Sequence, residues 1–159
     1  MHRNVVAVVE AARKAGLEIE PREFPEGTRT AEDAARAIGV SVAQIVKSLV
    51  FTVDQRPVMA LVSGSNQLDE TKLGAAAGGS PAKRADADAV RQATGFPVGG
   101  VPPLGHRLAV FVDRDLLAFD TVWAAAGTPQ VVFGAAPAAL VEASDAVVCD
   151  LARTGPGAS

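Results

Sequence analysis

Hydrophobic residues along this chain follow two rhythms, a helical one of three to four residues and a strand-like one of two, and the changes between them delimit the elements. Val5, Val8, Val9 and Ala12 fall on one helical face, with Asn4 as the expected cap and Gly16 as the stop. Leu17-Glu18-Ile19-Glu20 then alternates as a strand does, and Pro21 confines that strand to a sheet edge. Thr30 with Asp33 has the form of a capping box, Asp standing in for Glu, and opens a helix over 31–38 that Gly39 closes. Ser41 is placed to cap a second short helix ending near Val46. Residues 47–53 and 58–62 read as strands around the turn Asp54-Gln55-Arg56-Pro57, a hairpin.

Helices over 69–77 and 86–93 follow, then a loop over 95–105 dense in Gly and Pro. Strands are predicted over 108–112, 121–126 and 131–133, the last two joined at Gly127-Thr128-Pro129-Gln130. A helix over 137–143 and a buried strand over 146–149 complete the pattern. Short helices interleaved with many strands predict the α/β class: a single mixed domain with a twisted, largely antiparallel sheet and short helices packed around it. The domain is expected over 1–153, with a flexible tail over 154–159.

Composition narrows the chemistry. Of 159 residues, 48% are hydrophobic and 21% charged, enough apolar matter for a packed core. Aromatic residues make up 4%, with no tyrosine, which excludes an aromatic stacking platform for single-stranded nucleic acid as the main function. Lys plus Arg number 15 against 18 Asp plus Glu, a formal charge of −3, so a broad electrostatic grip on nucleic acid is not expected, though a local basic face is compatible with it. One cysteine, Cys149, excludes an intramolecular disulfide and a thiolate zinc cluster. The two histidines, His2 and His106, cannot build a histidine-rich metal site, and neither metal nor cofactor is expected. The apolar run 5–9, stopped by Glu10, is too short for a signal-peptide core, and no run spans a bilayer; a soluble cytoplasmic protein without membrane contact is expected.

Lys47 stands out among the polar residues. Strand alternation puts it on the face of Leu49, Phe51 and Val53, where a lysine either snorkels from the strand end or points its ammonium into a cleft. The loop 95–105 reads as a ligand-approaching backbone or as a plain connection; it has neither Walker nor GxGxxG spacing. His106 reads as a solvent-facing polar residue, Cys149 as a buried inert thiol. Ser63 and Ser65 lack a Gly-x-Ser-x-Gly frame, and Lys83, Arg84, Arg91 and Arg107 are scattered charge or a modest basic face.

Four segments taken together carry a resemblance. Thr30-Ala-Glu-Asp-Ala-Ala-Arg-Ala-Ile-Gly-Val leads into Ile45-Val-Lys-Ser-Leu-Val-Phe; Gly64-Ser-Asn-Gln-Leu-Asp-Glu-Thr-Lys-Leu follows the hairpin; Thr94-Gly-Phe-Pro-Val-Gly-Gly-Val-Pro-Pro-Leu-Gly and Ala125-Ala126-Gly127 come later. In this order, over about 5–151, the chain resembles the YbaK family of aminoacyl-tRNA deacylases, relatives of the editing domain inserted in bacterial prolyl-tRNA synthetases. The resemblance implies hydrolysis, in trans, of the ester on a tRNA mischarged with a small amino acid, with the acceptor end as partner and a synthetase as a further one. It implies that Lys47 holds the substrate carbonyl or terminal phosphate and that Gly127 or its neighbours donate a backbone N–H to the oxyanion. Gly99, Gly100, Val101, Pro102, Pro103 and Thr128 would then line the substrate pocket. Alanine-directed members often carry a histidine in the glycine turn where this chain has Thr128-Pro129-Gln130, which argues against a strict alanine specificity and leaves cysteine, serine, threonine or another small amino acid open as substrates. The alternative is a non-catalytic module that binds a small amino acid or an aminoacyl-tRNA end.

Overall fold

The computed structural model describes residues 1–154; of the expected tail, 155–159 lie outside the described residues. The elements run α1 (Arg3–Lys14), β1 (Arg22–Glu23), α2 (Ala31–Ile38), β2 (Val46–Val53), β3 (Arg56–Ser63), α3 (Glu70–Ala76), β4 (Lys83–Arg84), α4 (Ala87–Thr94), β5 (Ala109–Asp113), β6 (Val122–Ala125), β7 (Val131–Ala135), α5 (Pro137–Ser144) and β8 (Val147–Cys149). The fold is a single α/β domain of mostly antiparallel pairing, as the sequence pattern predicts.

Local capping follows the sequence closely, with one substitution of partner. Thr30 caps α2 by accepting the Asp33 N–H, and Gly39 ends it in the left-handed region at φ 87°. At α1, however, the cap is His2, whose Nδ1 accepts the Asn4 N–H at 2.9 Å. Asn4 is thereby inside the helix, and its carboxamide is released to donate to the Gly127 carbonyl at 3.1 Å. The helix expected after Ser41 shrinks to a single 3-10 turn, Val42–Gln44, closed by a Ser41/Gln44 capping box. Ile45 turns extended at once because the hairpin strand already claims Val46, opposite Ser63.

The hairpin itself is tighter than the predicted four-residue turn. Asp54 and Gln55 both sit at positive φ, 49° and 72°, so two residues make the reversal and Arg56 and Pro57 join β3. Primed two-residue turns of this kind match the right-handed twist of the flanking strands.

Two sheets form. The smaller has order β1-β7-β6, all antiparallel; the larger has order β4-β2-β3-β5-β8, with β3, β5 and β8 mutually parallel. One face of the larger sheet, through Val46, Val50, Met59 and Leu61, packs into the main core with α1 and with Val122, Ala124 and Phe133 of the smaller sheet. Its other face, through Phe51, Val53, Ala60 and Val62, packs under Leu68, Leu73 and Leu151. Burial on both faces explains why β3 is nearly continuous in hydrophobic residues rather than alternating.

Two strand expectations are corrected. The segment 17–20 makes no ladder: Leu17 and Ile19 pack against the main core, while the edge pairing goes to β1 against β7. Alternation fixes which side of a chain faces inward; it does not supply a partner. The last strand, expected as buried, is the exposed edge of the larger sheet, with Val147 at 55% and Val148 at 45% exposure. No helix among the described residues is long and apolar enough to cross a membrane.

Candidate active site

The two-residue β4 covers only Phe51 and Thr52 of β2, so the first half of β2 is left as an open sheet edge. A cleft of about 780 Å³ opens there. Its walls are the first turn of α2 with the preceding Arg29, the start of α4 with Arg84, the loop residues Val98, Gly99 and Val101, and Trp123 to Ala125 of β6.

Lys47 stands at this edge, as alternation requires: its neighbours on the same face, Phe51 and Val53, lie in the second core and Leu49 packs against it. The ammonium is half-buried, lines the cleft, and donates to the Asn66 carbonyl at 2.5 Å. Burial pushes its pKa below the ordinary lysine value, Glu32 across the cleft opposes that shift, and Arg84 adds to it. Arg84 also lies over the Phe51 ring, 6.0 Å from its centre.

The structure sorts the other expected site residues into two groups. Gly99 and Val101 line the cleft with Lys47, and neither N–H has a hydrogen-bond partner among the described residues. Gly100, Pro102, Pro103, Gly127 and Thr128 do not line it. Gly100 is buried behind the wall, where a Cβ would stand 2.8 Å from the Thr128 backbone. Pro103 borders a separate pocket of about 320 Å³ beside His106, and Thr128 one of about 420 Å³ beside His2. Gly127, at φ +105°, is pressed against α1: a Cβ there would come within 2.9 Å of the Asn4 carbonyl oxygen, and its own carbonyl is held by the Asn4 carboxamide. Close packing of turn on helix, with the left-handed backbone, accounts for this glycine.

Other candidates resolve without chemistry. The Ser63 hydroxyl donates to the Ala43 carbonyl at 2.7 Å and meets the Ser65 hydroxyl, and among the described residues no basic side chain hydrogen-bonds to it. Cys149 is half-buried, and burial together with the Asp113 and Asp150 charges pushes its thiol pKa up, which disfavours the thiolate. His106 is half-buried rather than solvent-facing; its Nδ1 accepts the Leu108 N–H at 3.3 Å. Burial holds its pKa below the usual imidazole value, against the pull of the Pro103 and Pro102 carbonyls. Among the described residues no group of three or more His, Cys, Asp or Glu is placed to hold a metal ion.

Sequence reasoning missed Arg29, Glu32 and Trp123 at the cleft, because each is brought there by a different element. The one available signal was composition: Trp123 is the only tryptophan, and Arg22 lies over its ring at 5.4 Å.

The model of the aminoacyl-tRNA editing domain family matches residues 25–143. The chain is 39% identical over 100 residues to a proline–tRNA ligase of Maridesulfovibrio salexigens, covering 62% of this chain and 17% of the ligase. It is 33% identical over 124 residues to the uncharacterised protein YwhH of Bacillus subtilis, covering 77% of this chain and 79% of that protein. Among solved structures, a proposed trans-editing enzyme for prolyl tRNA synthetase superposes with a TM-score of 0.90 at 42% identity, covering 97% of this chain and 99% of the other. The chain spans about a sixth of the length of the proline–tRNA ligases it matches.

Proposed function

The chain belongs to the aminoacyl-tRNA editing domain family, and from that premise we propose that it is a hydrolase of the ester joining a small amino acid to the 3′ end of a mischarged tRNA. The observation that carries this reading is Lys47: a half-buried ammonium on the wall of a cleft of about 780 Å³, with one of its hydrogen bonds already committed to Asn66. An ammonium has three N–H donors, so two remain for the substrate carbonyl or the terminal phosphate. Arg29 and Arg84 at the same cleft complement phosphate charge, and Glu32 complements the α-ammonium of the amino acid.

An aminoacyl ester is already activated, so water can attack it with help from the adjacent ribose hydroxyl. The protein's task is then to orient the ester and stabilise the oxyanion. In this proposal the donors are the unpartnered N–H groups of Gly99 and Val101, in place of the Gly127 N–H that sequence similarity implies. One well-placed donor of this kind is worth roughly 3 kcal/mol in rate. Val50, Val101 and Val132 give the cleft an apolar wall suited to a small side chain, where one methylene shifts discrimination by about 1–3 kcal/mol. The 42% identity to a proposed trans-editing enzyme supports action in trans, on tRNA that a synthetase has released in the cytoplasm.

The test is release of amino acid from a panel of mischarged tRNAs. Alanyl, cysteinyl, seryl or threonyl esters are expected to be hydrolysed faster than leucyl or phenylalanyl esters on the same tRNA. Binding without release across the whole panel would overturn the hydrolase reading in favour of a module that only captures the aminoacyl end.

A further inference from the structure

Lys47 is held from behind by a chain of hydrogen bonds that ends in a buried carboxylate. Asp113, at the end of β5, is 0% exposed. Its Oδ1 accepts the Leu151 N–H at 2.9 Å, and its Oδ2 accepts from Asn66 Nδ2 at 3.2 Å. The same Asn66 nitrogen donates to Asp115 Oδ2 at 2.8 Å, and the Asn66 N–H donates to the Ser63 carbonyl at 3.0 Å. The remaining polar group of the residue that matters here, its backbone carbonyl, accepts the Lys47 ammonium. Asn66 is therefore pinned through side chain and backbone, with its carbonyl aimed at the one lysine of the cleft wall.

We propose that Asn66 and Asp113 are positioning residues for Lys47, fixing the ammonium on the cleft wall through the Asn66 carbonyl. The role rests on the deacylase reading above. Asp113 has no ion-pair partner among the described residues; two N–H donors alone satisfy it. Burying a carboxylate in that way is costly, and what it does here is lock one loop to one strand. That loop, Gly64-Ser65-Asn66, is packed so closely that a Cβ on Gly64 would collide with the Val42 carbonyl oxygen. A flexible lysine stem has much rotamer freedom to lose, so an ammonium that must meet a carbonyl or phosphate in one place needs such a fixed acceptor.

The principal variant is Asn66→Ala, which removes the carboxamide clamp and keeps the backbone carbonyl. It is expected to lower kcat for deacylation by about tenfold to a hundredfold, the loss that a displacement of about an ångström produces, with KM nearly unchanged. In a Lys47→Ala background, adding Asn66→Ala is expected to change kcat less than twofold, because both act through one group. Asp113→Asn should act in the same direction. A second readout does not need activity: the Lys47 ammonium cross-peak in proton–nitrogen NMR, assigned by its loss in Lys47→Ala, is expected to be protected in the wild-type protein and lost in Asn66→Ala. Wild-type kcat in Asn66→Ala, an equal loss with and without Lys47, or an unaltered ammonium signal would each overturn the proposal. If Asp113→Asn fails to fold, Asn66→Ala still decides. If the wild-type chain releases amino acid from no mischarged tRNA, the deacylase reading falls, and the ammonium signal still decides the tether.

Discussion

Replacing Gly100 by alanine tests whether the cleft wall is set by the turn behind it. A Cβ at Gly100 would lie 2.8 Å from the Cα and carbonyl carbon of Thr128 and 2.9 Å from its nitrogen. All three are backbone atoms, so no rotamer change relieves the contact. Ordinary van der Waals contact begins near 3.4 Å, and the loop around Gly100 must therefore move off the turn by more than half an ångström. Gly100 is not at positive φ, so the cost is steric. Overpacking of this kind costs roughly 1–3 kcal/mol, and each kcal/mol lowers Tm by about 2–4 °C at this chain length. The same movement displaces Gly99 and Val101 in the cleft, for which about a tenfold loss of kcat/KM is expected, since an ångström can cost on the order of a hundredfold. Gly95→Ala is the control. Gly95 is at φ +82° with nothing within 4 Å of its would-be Cβ, so alanine there meets only left-handed strain of about 1–2 kcal/mol. Thermal melting and single-turnover deacylation separate the two: both variants should lose stability, and only Gly100→Ala should lose rate. Wild-type melting and turnover in Gly100→Ala, or an equal loss of activity in Gly95→Ala, would refute the coupling of turn to cleft wall.

Lys47→Ala should lower deacylation by on the order of 10²–10³-fold, the value of one transition-state donor, while melting changes by only a few degrees because the side chain is half-buried and makes one protein hydrogen bond. Lys47→Arg should recover only part, its wider planar fork presenting donors elsewhere; near-wild-type turnover by folded Lys47→Ala refutes the role. Because burial lowers the Lys47 pKa, activity that needs the ammonium should fall with rising pH earlier than an ordinary lysine would impose. An alkaline limb at the ordinary lysine value, after correction for spontaneous ester hydrolysis, contradicts this. His106 has its pKa lowered on folding, so below about pH 6.5 the unfolded chain binds the proton more readily and stability falls with falling pH. Urea unfolding at pH 5 and pH 7 should show that loss in the wild-type protein and a smaller one in His106→Gln; equal losses would dismiss the histidine.

Much of the fold was legible because its signals are short-range. A cap such as Thr30 to Asp33 spans one helical turn, and a hairpin reversal spans two residues, so both can be read from adjacent letters. The side on which Lys47 lies was legible for the same reason: strand alternation is a property of the backbone. The functional assignment to a family came from four segments in order, each weak alone, and was likewise a sequence matter.

The assembly of the site was not. Asn4 was not legible as anything but a cap, because a carboxamide suited to capping a helix is equally suited to holding a distant carbonyl, here that of Gly127, and only tertiary contact decides between them. The same holds for the segment 17–20, whose pattern specifies an inward face and leaves the partner strand open. By itself the sequence determined the α/β class, the caps and hairpin, and the inward-facing lysine on β2. The tertiary structure alone decided that β4 stops short and leaves the edge of β2 open, that Gly99 and Val101 reach the cleft while Gly100 backs it, and that Asn66 and Asp113 hold Lys47 from 19 residues away and beyond. Local rules act over a few residues of chain, whereas a cleft is made where separate elements fail to cover one another, and that depends on how all of them pack.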